Sequence, residues 1–408
     1  MKISIVGAGP GRKELLTGDA IKAIREADIL IGADRLTKAY SAEKTVFTLY
    51  KPEEIVEKIR YTGIGNNVVI LRSGDPGFFS SAGKIFKLID TDSAFKGAEV
   101  NVIPGISSMQ YFLLNLHMSW ENVKYISLHG RKGNIVGYIK RYPKVFTLLS
   151  SGKDLTETCE KLKYYGITGV KLIIGTKLSY PGEDVIVSDP VSFLSEYGSN
   201  TEKFALAVAL FINNDAEDDS FYPIDDEEFI RGDVPMTKEE VRTISLSKLK
   251  LKSDSVLFDI GAGTGSISVA AAKKLIDGEV YAIEKNSEAV ELIKKNKQKF
   301  AADNINIVND SAPGCFDKLP KPTHFFIGGS GEDLKGMIDS CLRKNPEGTI
   351  VLNVISLDTL TKVNTLIRDN GMKADITMIN AAKAKEAGAH RMMIGGNPVF
   401  VVRLANGS

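Results

Sequence analysis

Val256-Leu257-Phe258-Asp259-Ile260-Gly261-Ala262-Gly263-Thr264-Gly265 is the stretch that decides how this 408-residue chain reads. A short apolar strand runs into three glycines, each separated by one residue, and apolar residues then recur at helical spacing over 266–274. Strand, glycine turn and helix bring a nucleotide-like ligand against bare backbone at the carboxyl end of a parallel strand. Glycine is needed there because a side chain would block the ligand and because such a turn visits positive φ. The next apolar run, Val280-Tyr281-Ala282-Ile283, ends at Glu284, 19 residues beyond Gly265. A carboxylate in that place can accept hydrogen bonds from ribose hydroxyls. Alone, Glu284 reads equally well as a solvated loop acid; in register with the glycine turn it reads as a ligand contact.

The glycine spacing discriminates between ligands. A dinucleotide fold wants G-x-G-x-x-G, whereas Gly261, Gly263 and Gly265 give G-x-G-x-G behind an aspartate. This resembles the S-adenosylmethionine site of the Rossmann-like methyltransferases, with a dehydrogenase as the weaker alternative. Around it, strands are expected at 256–260, 279–283, 305–308, 323–327, 349–353, 374–379 and 398–403, separated mostly by helical periods. The strand His324-Phe325-Phe326-Ile327 runs into Gly328-Gly329-Ser330-Gly331, a further bare edge loop. Thr237, with Glu240 three residues on, reads as an N-cap with a capping box.

Length alone suggests two or three domains. Lys+Arg number 52 against 51 Asp+Glu, so no global charge draws the chain to nucleic acid or to an anionic membrane. Cys159, Cys315 and Cys341 are far apart and odd in number, which fits neither a disulfide framework nor a zinc site and points to the cytoplasm. The four histidines show no metal-ligand spacing, so no protein-bound metal is expected. The first residues, Met1-Lys2-Ile3-Ser4-Ile5-Val6-Gly7, already form a strand into a turn rather than a signal peptide, and no run is long enough to span a bilayer.

The first half has its own glycine edges. Ile3-Ser4-Ile5-Val6 leads into Gly7-Ala8-Gly9-Pro10-Gly11, but Arg12 stands where a dinucleotide fingerprint needs glycine and Pro10 removes a backbone donor. Val68-Val69-Ile70-Leu71 ends in Arg72-Ser73-Gly74-Asp75-Pro76-Gly77-Phe78, and Val100-Asn101-Val102-Ile103 ends in Pro104-Gly105-Ile106-Ser107-Ser108. Three apolar strands thus end in glycine-containing loops at one edge of a parallel sheet, where open α/β folds bind ligands. Between the halves, residues 215–228 hold eight acids and no base, which reads as a solvated linker.

Those three loops, in that order over roughly residues 1–213, resemble the tetrapyrrole (uroporphyrinogen and precorrin) methylase family. The resemblance implies two α/β subdomains, 1–118 and 119–213, with S-adenosylmethionine held by Pro10, Gly74, Asp75, Phe78, Ser107 and Ser108. After an acidic linker at 214–228, residues 229–408 resemble the decarboxylating precorrin methyltransferases. The matches are Pro-Met-Thr-x-x-Glu-Val-Arg from Pro235, Asp-Ile-Gly-Ala-Gly-Thr-Gly, Tyr-Ala-Ile-Glu, Ile-Gly-Gly-Ser-Gly and Asn-Pro-Val. Val234 stands where that family usually has glycine, which puts the shape of the loop before Thr237 in doubt. Here the resemblance implies S-adenosylmethionine contacts from Thr237, Gly261, Ala262, Gly263, Thr264, Gly265, Glu284 and Ala312. The fold class is then α/β throughout, with a two-subdomain tetrapyrrole methylase fold followed by a Rossmann-like, seven-stranded class I methyltransferase.

The implied activity is methylation of a precorrin or cobalt-precorrin at ring carbons 5 and 15, with decarboxylation of the C12 acetate. A cytoplasmic homo-oligomer without nucleic-acid or membrane partner is expected. Such chemistry needs alignment of donor and acceptor more than a catalytic triad, because the macrocycle is itself the nucleophile. His390 and Arg391 are candidates to assist protonation after decarboxylation, but they read equally as surface charges in a Gly-rich loop, and no catalytic residue is assigned. Arg231, Lys238, Arg242 and Arg391 could pair with substrate carboxylates. An RNA-modifying or other small-molecule methyltransferase fused to a tetrapyrrole-binding module is the alternative.

Overall fold

The computed structural model describes residues 1–130, 133–328, 333–388 and 390–405. Gly329, Ser330 and Gly331, most of the bare loop after His324-Phe325-Phe326-Ile327, lie outside the described residues. The chain divides into two compact units. The first comprises Met1–Lys132, Lys144–Cys159 and Gly169–Ile212; the second comprises Gly133–Pro143, Glu160–Thr168 and Asn213–Ser408.

The first unit contains two five-stranded sheets. One is formed by β1 (Lys2–Gly7), β2 (Ile29–Gly32), β3 (Thr45–Thr48), β4 (Asn67–Arg72) and β5 (Glu99–Ile103), all parallel, in the order β3-β2-β4-β1-β5. Its strands alternate between two cores because successive side chains point to opposite faces. Ile3, Ile5, Ile29, Ile31, Val68 and Ile70 pack on one side, and Val6, Leu30, Val69 and Leu71 on the other. The three glycine loops read from the sequence follow β1, β4 and β5, which are neighbours, so all three meet at one edge.

The second sheet comprises β6 (Lys124–Ser127), β7 (Lys144–Leu148), β8 (Lys171–Thr176), β9 (Asp184–Ser188) and β10 (Ala207–Ile212), in the order β6-β7-β10-β8-β9. β10 is antiparallel to both of its neighbours. β10 is preceded by a 3₁₀ turn at Thr201–Phe204.

In the second unit β11 (Val256–Ile260), β12 (Glu279–Ile283), β13 (Ile305–Val308), β14 (His324–Ile327), β15 (Thr349–Val354), β16 (Lys373–Ile379) and β19 (Val399–Ala405) make a seven-stranded sheet, in the order β13-β12-β11-β14-β15-β19-β16. The first five run parallel, while β19 is antiparallel to β15 and β16. Neighbours in sequence again separate to the two faces: Leu257 from Phe258, Phe326 from Phe325, Val351 from Leu352, Val401 from Val402. The seven strands stand within two residues of their expected bounds.

One element departs from the sequence reading. The segment around His390, read as a Gly-rich loop, pairs as β18 (His390–Gly395) with β17 (Ala382–Ala387) in a separate exposed hairpin. The Ala-Lys-Ala-Lys-Glu run of β17 has a strand period of two, but Met392, Met393 and Ile394 of β18 are consecutive and exposed, so no alternating buried face marks the hairpin in the sequence.

The acidic stretch also departs. Most of its carboxylates are exposed, yet Asp226 is buried and bonds the buried guanidinium of Arg242 at 3.2 Å. Ile224 and Phe229 on either side enter the core beneath the seven-stranded sheet. Its last part, residues 224–229, is therefore a packed strap rather than a solvated spacer. Arg242, with further bonds to the carbonyls of Ile224 and Thr237 and a 4.7 Å stack on Phe229, is structural and unavailable to a substrate carboxylate.

Candidate active sites

The turn after β11 holds Gly261, Gly263 and Gly265 at φ of 70°, 57° and 78°, a region glycine enters without steric penalty. The N–H groups of Gly261 and Ala262 donate to the Ile283 carbonyl at 3.0 and 3.2 Å, and that of Gly263 donates to Glu284 Oε2 at 2.9 Å. The turn is thereby fastened to the end of β12. Glu284 Oε1 accepts the Asn286 N–H at 2.9 Å. A carboxylate has about four acceptor positions, so these two bonds leave capacity for further donors. Gly265 opens the helix Ser266–Ala272, whose small side chains are all buried.

In front of the turn lies a cavity of about 480 Å³, lined by Thr237, Gly261, Ala262, Gly263, Thr264, Asp259 and Asn353 among others. Two of its polar atoms, Asp259 Oδ1 and Thr264 Oγ1, are buried without a hydrogen-bond partner. Asp259 Oδ2 is held by the Ser268 hydroxyl. Burial, with the Glu284 charge adding to it, pushes the Asp259 carboxyl up to about 7. Buried polar groups in native proteins are almost always paired. A cavity carrying an unpaired carboxylate oxygen and hydroxyl beside bare glycine backbone is therefore fitted to a ligand with donors of its own, a cationic amine included.

Of the residues named from the sequence, Thr237, Gly261, Ala262, Gly263 and Thr264 line this cavity, while Gly265, Glu284 and Ala312 do not. Thr237 is not the helix cap: the helix Glu239–Leu249 has Lys238 at that position, without a side-chain cap bond. The Thr237 carbonyl instead accepts from Arg242 at 2.7 Å, and Glu240 pairs with Lys383 at 2.9 Å. His390 and Arg391 stand on exposed β18 away from the cavity lining, and Arg391 faces Glu386 at 3.9 Å. Asp259 and Asn353 were missed as site residues. A lone acid within the apolar Val-Leu-Phe-Asp-Ile strand was the visible signal for the first.

In the first unit the loops after β1, β4 and β5 touch backbone to backbone. Gly9 and Gly74 exchange N–H···O bonds of 3.2 and 2.8 Å. A Cβ on Gly7 would fall 2.6 Å from the Gly105 nitrogen, and one on Gly105 would fall 2.5 Å from the Gly74 carbonyl oxygen. Asp75 ties this edge together, Oδ1 accepting the Gly77 N–H at 2.7 Å and Oδ2 the Gly105 N–H at 3.0 Å. Ser107 caps the helix Ser108–Asn115 in a capping box with Gln110. Phe78 packs on Tyr125 and Phe146, at 5.8 and 6.2 Å between ring centres.

A cavity of about 710 Å³ opens on this edge, and Pro10, Gly74, Asp75, Phe78, Ser107 and Ser108 all line it. So do Arg35, Arg72, Lys84 and His129, which sequence reasoning passed over.

A seven-stranded sheet with a glycine turn after the third strand in its order, following an α/β unit whose glycine loops open on a second cavity, is the architecture of an α/β protein of the methyltransferase class. A precorrin methyltransferase domain model matches residues 228–405, and a model of the tetrapyrrole (corrin/porphyrin) methylases matches residues 2–190. The probable cobalt-precorrin-6B C(15)-methyltransferase (decarboxylating) of Pyrobaculum calidifontis is 38% identical over 182 residues, which cover 44% of this chain and 93% of that one. The cobalt-precorrin-6B C(15)-methyltransferase (decarboxylating) of Salmonella typhi is 38% identical over 180 residues, 43% of this chain and 93% of its own length. A solved structure of precorrin-6y C5,15-methyltransferase from Geobacter metallireducens is 40% identical, covers 45% of this chain and 96% of its own, and has a TM-score of 0.43. The chain belongs to the precorrin methyltransferase family, carrying a tetrapyrrole methylase domain ahead of its precorrin methyltransferase domain.

Proposed function

We propose that the chain is a bifunctional, S-adenosylmethionine-dependent methyltransferase of corrin-ring (cobalamin) biosynthesis. In this reading residues 1–213 methylate carbon 5 of a precorrin or cobalt-precorrin. Residues 229–408 methylate carbon 15 and release the C12 acetate carboxyl as carbon dioxide. The observation that carries the reading is the cavity at the glycine turn, where Asp259 Oδ1 and Thr264 Oγ1 await partners beside Gly261 and Gly263. The relatives' names and the two family matches point to the same chemistry.

S-adenosylmethionine, when bound, supplies an electrophilic methyl group, and the chain's own residues need chiefly to orient it against the ring. We assign Asp259 to hold the ligand's ammonium and Glu284 to receive ribose hydroxyls with the acceptor positions it retains. Thr237, Gly261, Ala262, Gly263 and Thr264 form the wall against which the ligand lies, and Gly265 closes the turn behind them. Ala312, in the loop after β13, stands outside that wall. In the other unit Pro10, Gly74, Asp75, Phe78, Ser107 and Ser108 form the corresponding wall. Here Asp75, Phe78 and Ser107 act mainly by shaping the loops, as their bonds and packing support.

Decarboxylation breaks the bond between the acetate methylene and its carboxyl. The electron pair passes into the macrocycle, and the methylene carbon takes up a proton to become methyl. The reading includes a homo-oligomer, the cytoplasm on the strength of the three scattered cysteines, and no nucleic-acid partner on the strength of the near-even charge balance. Among the described residues no helix is long and apolar enough to cross a membrane.

The test is mass analysis of precorrin-type substrates, with and without cobalt, after incubation with isotopically labelled S-adenosylmethionine. Two labelled methyl groups gained and one carbon dioxide lost are expected. A product with methyl groups but its full set of carboxylates would remove the decarboxylating assignment.

A further inference from the structure

We propose that Arg72 receives one of the substrate's carboxylate arms in the cavity of the first unit and so determines how the ring lies there. The inference rests on the tetrapyrrole reading of that cavity and adds to it a residue and a contact. Among the described residues the cavity lining holds one acid, Asp75, and both of its oxygens already accept backbone N–H groups. Against it stand the cations Arg35, Arg72 and Lys84. Lys84 is paired with Glu53 at 2.6 Å, and Arg35 donates to the Tyr180 hydroxyl at 2.8 Å.

Arg72 differs from Lys84 in having no carboxylate partner among the described residues, and from the exposed Arg35, whose partner is likewise a neutral hydroxyl, in being partly desolvated. It ends β4 at the glycine edge, with its carbonyl accepting the Ala8 N–H at 2.7 Å, and it is half-buried. Its guanidinium donates to Ser81 Oγ at 2.6 Å and faces no carboxylate among the described residues. Burial alone lowers its pKa, with no neighbouring charge offsetting the desolvation. A guanidinium carries five donors in a planar fork that matches a carboxylate. A partly desolvated cation without a counter-charge is unfavourable in the free protein, and an incoming carboxylate relieves this.

Next to it the cavity presents apolar surface. Phe79 is held at φ of 46° and remains 39% exposed, and Leu206 is 46% exposed. A non-glycine residue at positive φ is uncommon. A flat apolar contact beside an unpaired guanidinium suits a ring that is apolar across its face and anionic at its arms.

The experiment titrates the full-length chain with uroporphyrin, an octacarboxylate ring, and follows fluorescence at several salt concentrations. A charge-assisted contact of this kind corresponds to about ten- to a hundredfold in affinity. The wild-type titration should therefore contain a phase that Arg72→Gln weakens by that factor, with a shallower salt dependence. Arg72→Lys, which keeps the charge but lacks the fork, should recover part of the loss, and circular dichroism establishes that both variants are folded. Equal affinity and equal salt dependence in wild type and Arg72→Gln overturn the assignment. Uroporphyrin binding absent from a wild-type chain that still binds S-adenosylmethionine overturns the tetrapyrrole reading of the cavity, and this inference with it.

Discussion

At the scale of single residues, Gly263 and Asp259 carry the most. Gly263 sits at φ of 57°, and a Cβ there would lie 3.2 Å from the Pro235 carbonyl oxygen. A left-handed conformation costs a substituted residue about 1–2 kcal/mol, so Gly263→Ala should bind S-adenosylmethionine weakly at this site. Gly263→Arg should abolish binding and carbon-15 methylation while carbon-5 methylation continues. Retained carbon-15 activity in Gly263→Arg would mean that the ligand does not approach this backbone. Asp259 makes a pH prediction. Its folded pKa of about 7 lies above the ordinary aspartate value, so the folded chain keeps a proton that the unfolded chain has lost. The ligand-free fold is therefore favoured at low pH and loses stability as pH rises from about 4 to about 7, by up to about 4 kcal/mol at about 1.36 kcal/mol per unit. Asp259→Asn should flatten that dependence in urea unfolding of the second unit. In the wild type, pairing with a ligand ammonium needs the ionised carboxylate. Binding near neutral pH should then release protons, measurable by calorimetry in buffers of different ionisation enthalpy, and the variant should release none there.

At the scale of elements, the strap formed by residues 224–229 is held by Arg242 and Asp226. Removing one member of a buried ion pair strands the other, at about 3–5 kcal/mol. Arg242→Ala should lower the unfolding free energy of the second unit by that amount. The double variant with Asp226→Ala should lose less than the sum of the single losses, because the two groups interact directly. The same cycle separates this role from substrate binding: a cation that met a carboxylate arm would change KM and leave stability nearly untouched. Much of the element level was legible beforehand. Seven of the strands in the second unit followed from apolar runs and turn residues, and the three glycine loops of the first unit followed from Gly9, Gly74 and Gly105. The β17 and β18 hairpin was not legible as structure, since it buries little and its strands find their partners only in each other.

For the whole molecule, two separate glycine edges predict two S-adenosylmethionine sites per chain and a division of labour between them. Titration calorimetry should give two sites in the wild type and one in Gly263→Arg. The counterpart is Gly74→Arg, at a position held at φ of 68°. It should stop carbon-5 methylation and leave carbon-15 methylation and carbon dioxide release in place. The intact chain is the right material, because Gly133–Pro143 and Glu160–Thr168 belong to the same compact unit as the seven-stranded sheet, and a cut at the acidic strap would disturb it. One binding event in the wild type, or carbon dioxide released by Gly263→Arg, would contradict the division.

What the sequence determined by itself is whatever one short segment must satisfy alone. Glycine at positive φ, apolar alternation along a strand and a loop too crowded for side chains are local requirements, so the glycine edges, the sheet pattern and the family were readable from it. Tertiary structure decided which polar groups remain available. Asp75 and Glu284 both read as ligand contacts; in the fold Asp75 has both oxygens on loop backbone, Glu284 fastens the turn and retains acceptor positions, and Asp259 keeps an unpartnered oxygen in the cavity. Arg242 read as a substrate cation and is buried against Asp226, whereas Arg72 lines a cavity and meets no carboxylate among the described residues. The Gly105 N–H that engages Asp75 comes from 30 residues away. A hydrogen bond is assigned by proximity in the folded chain, and proximity of that kind exists only once the strands have found their order.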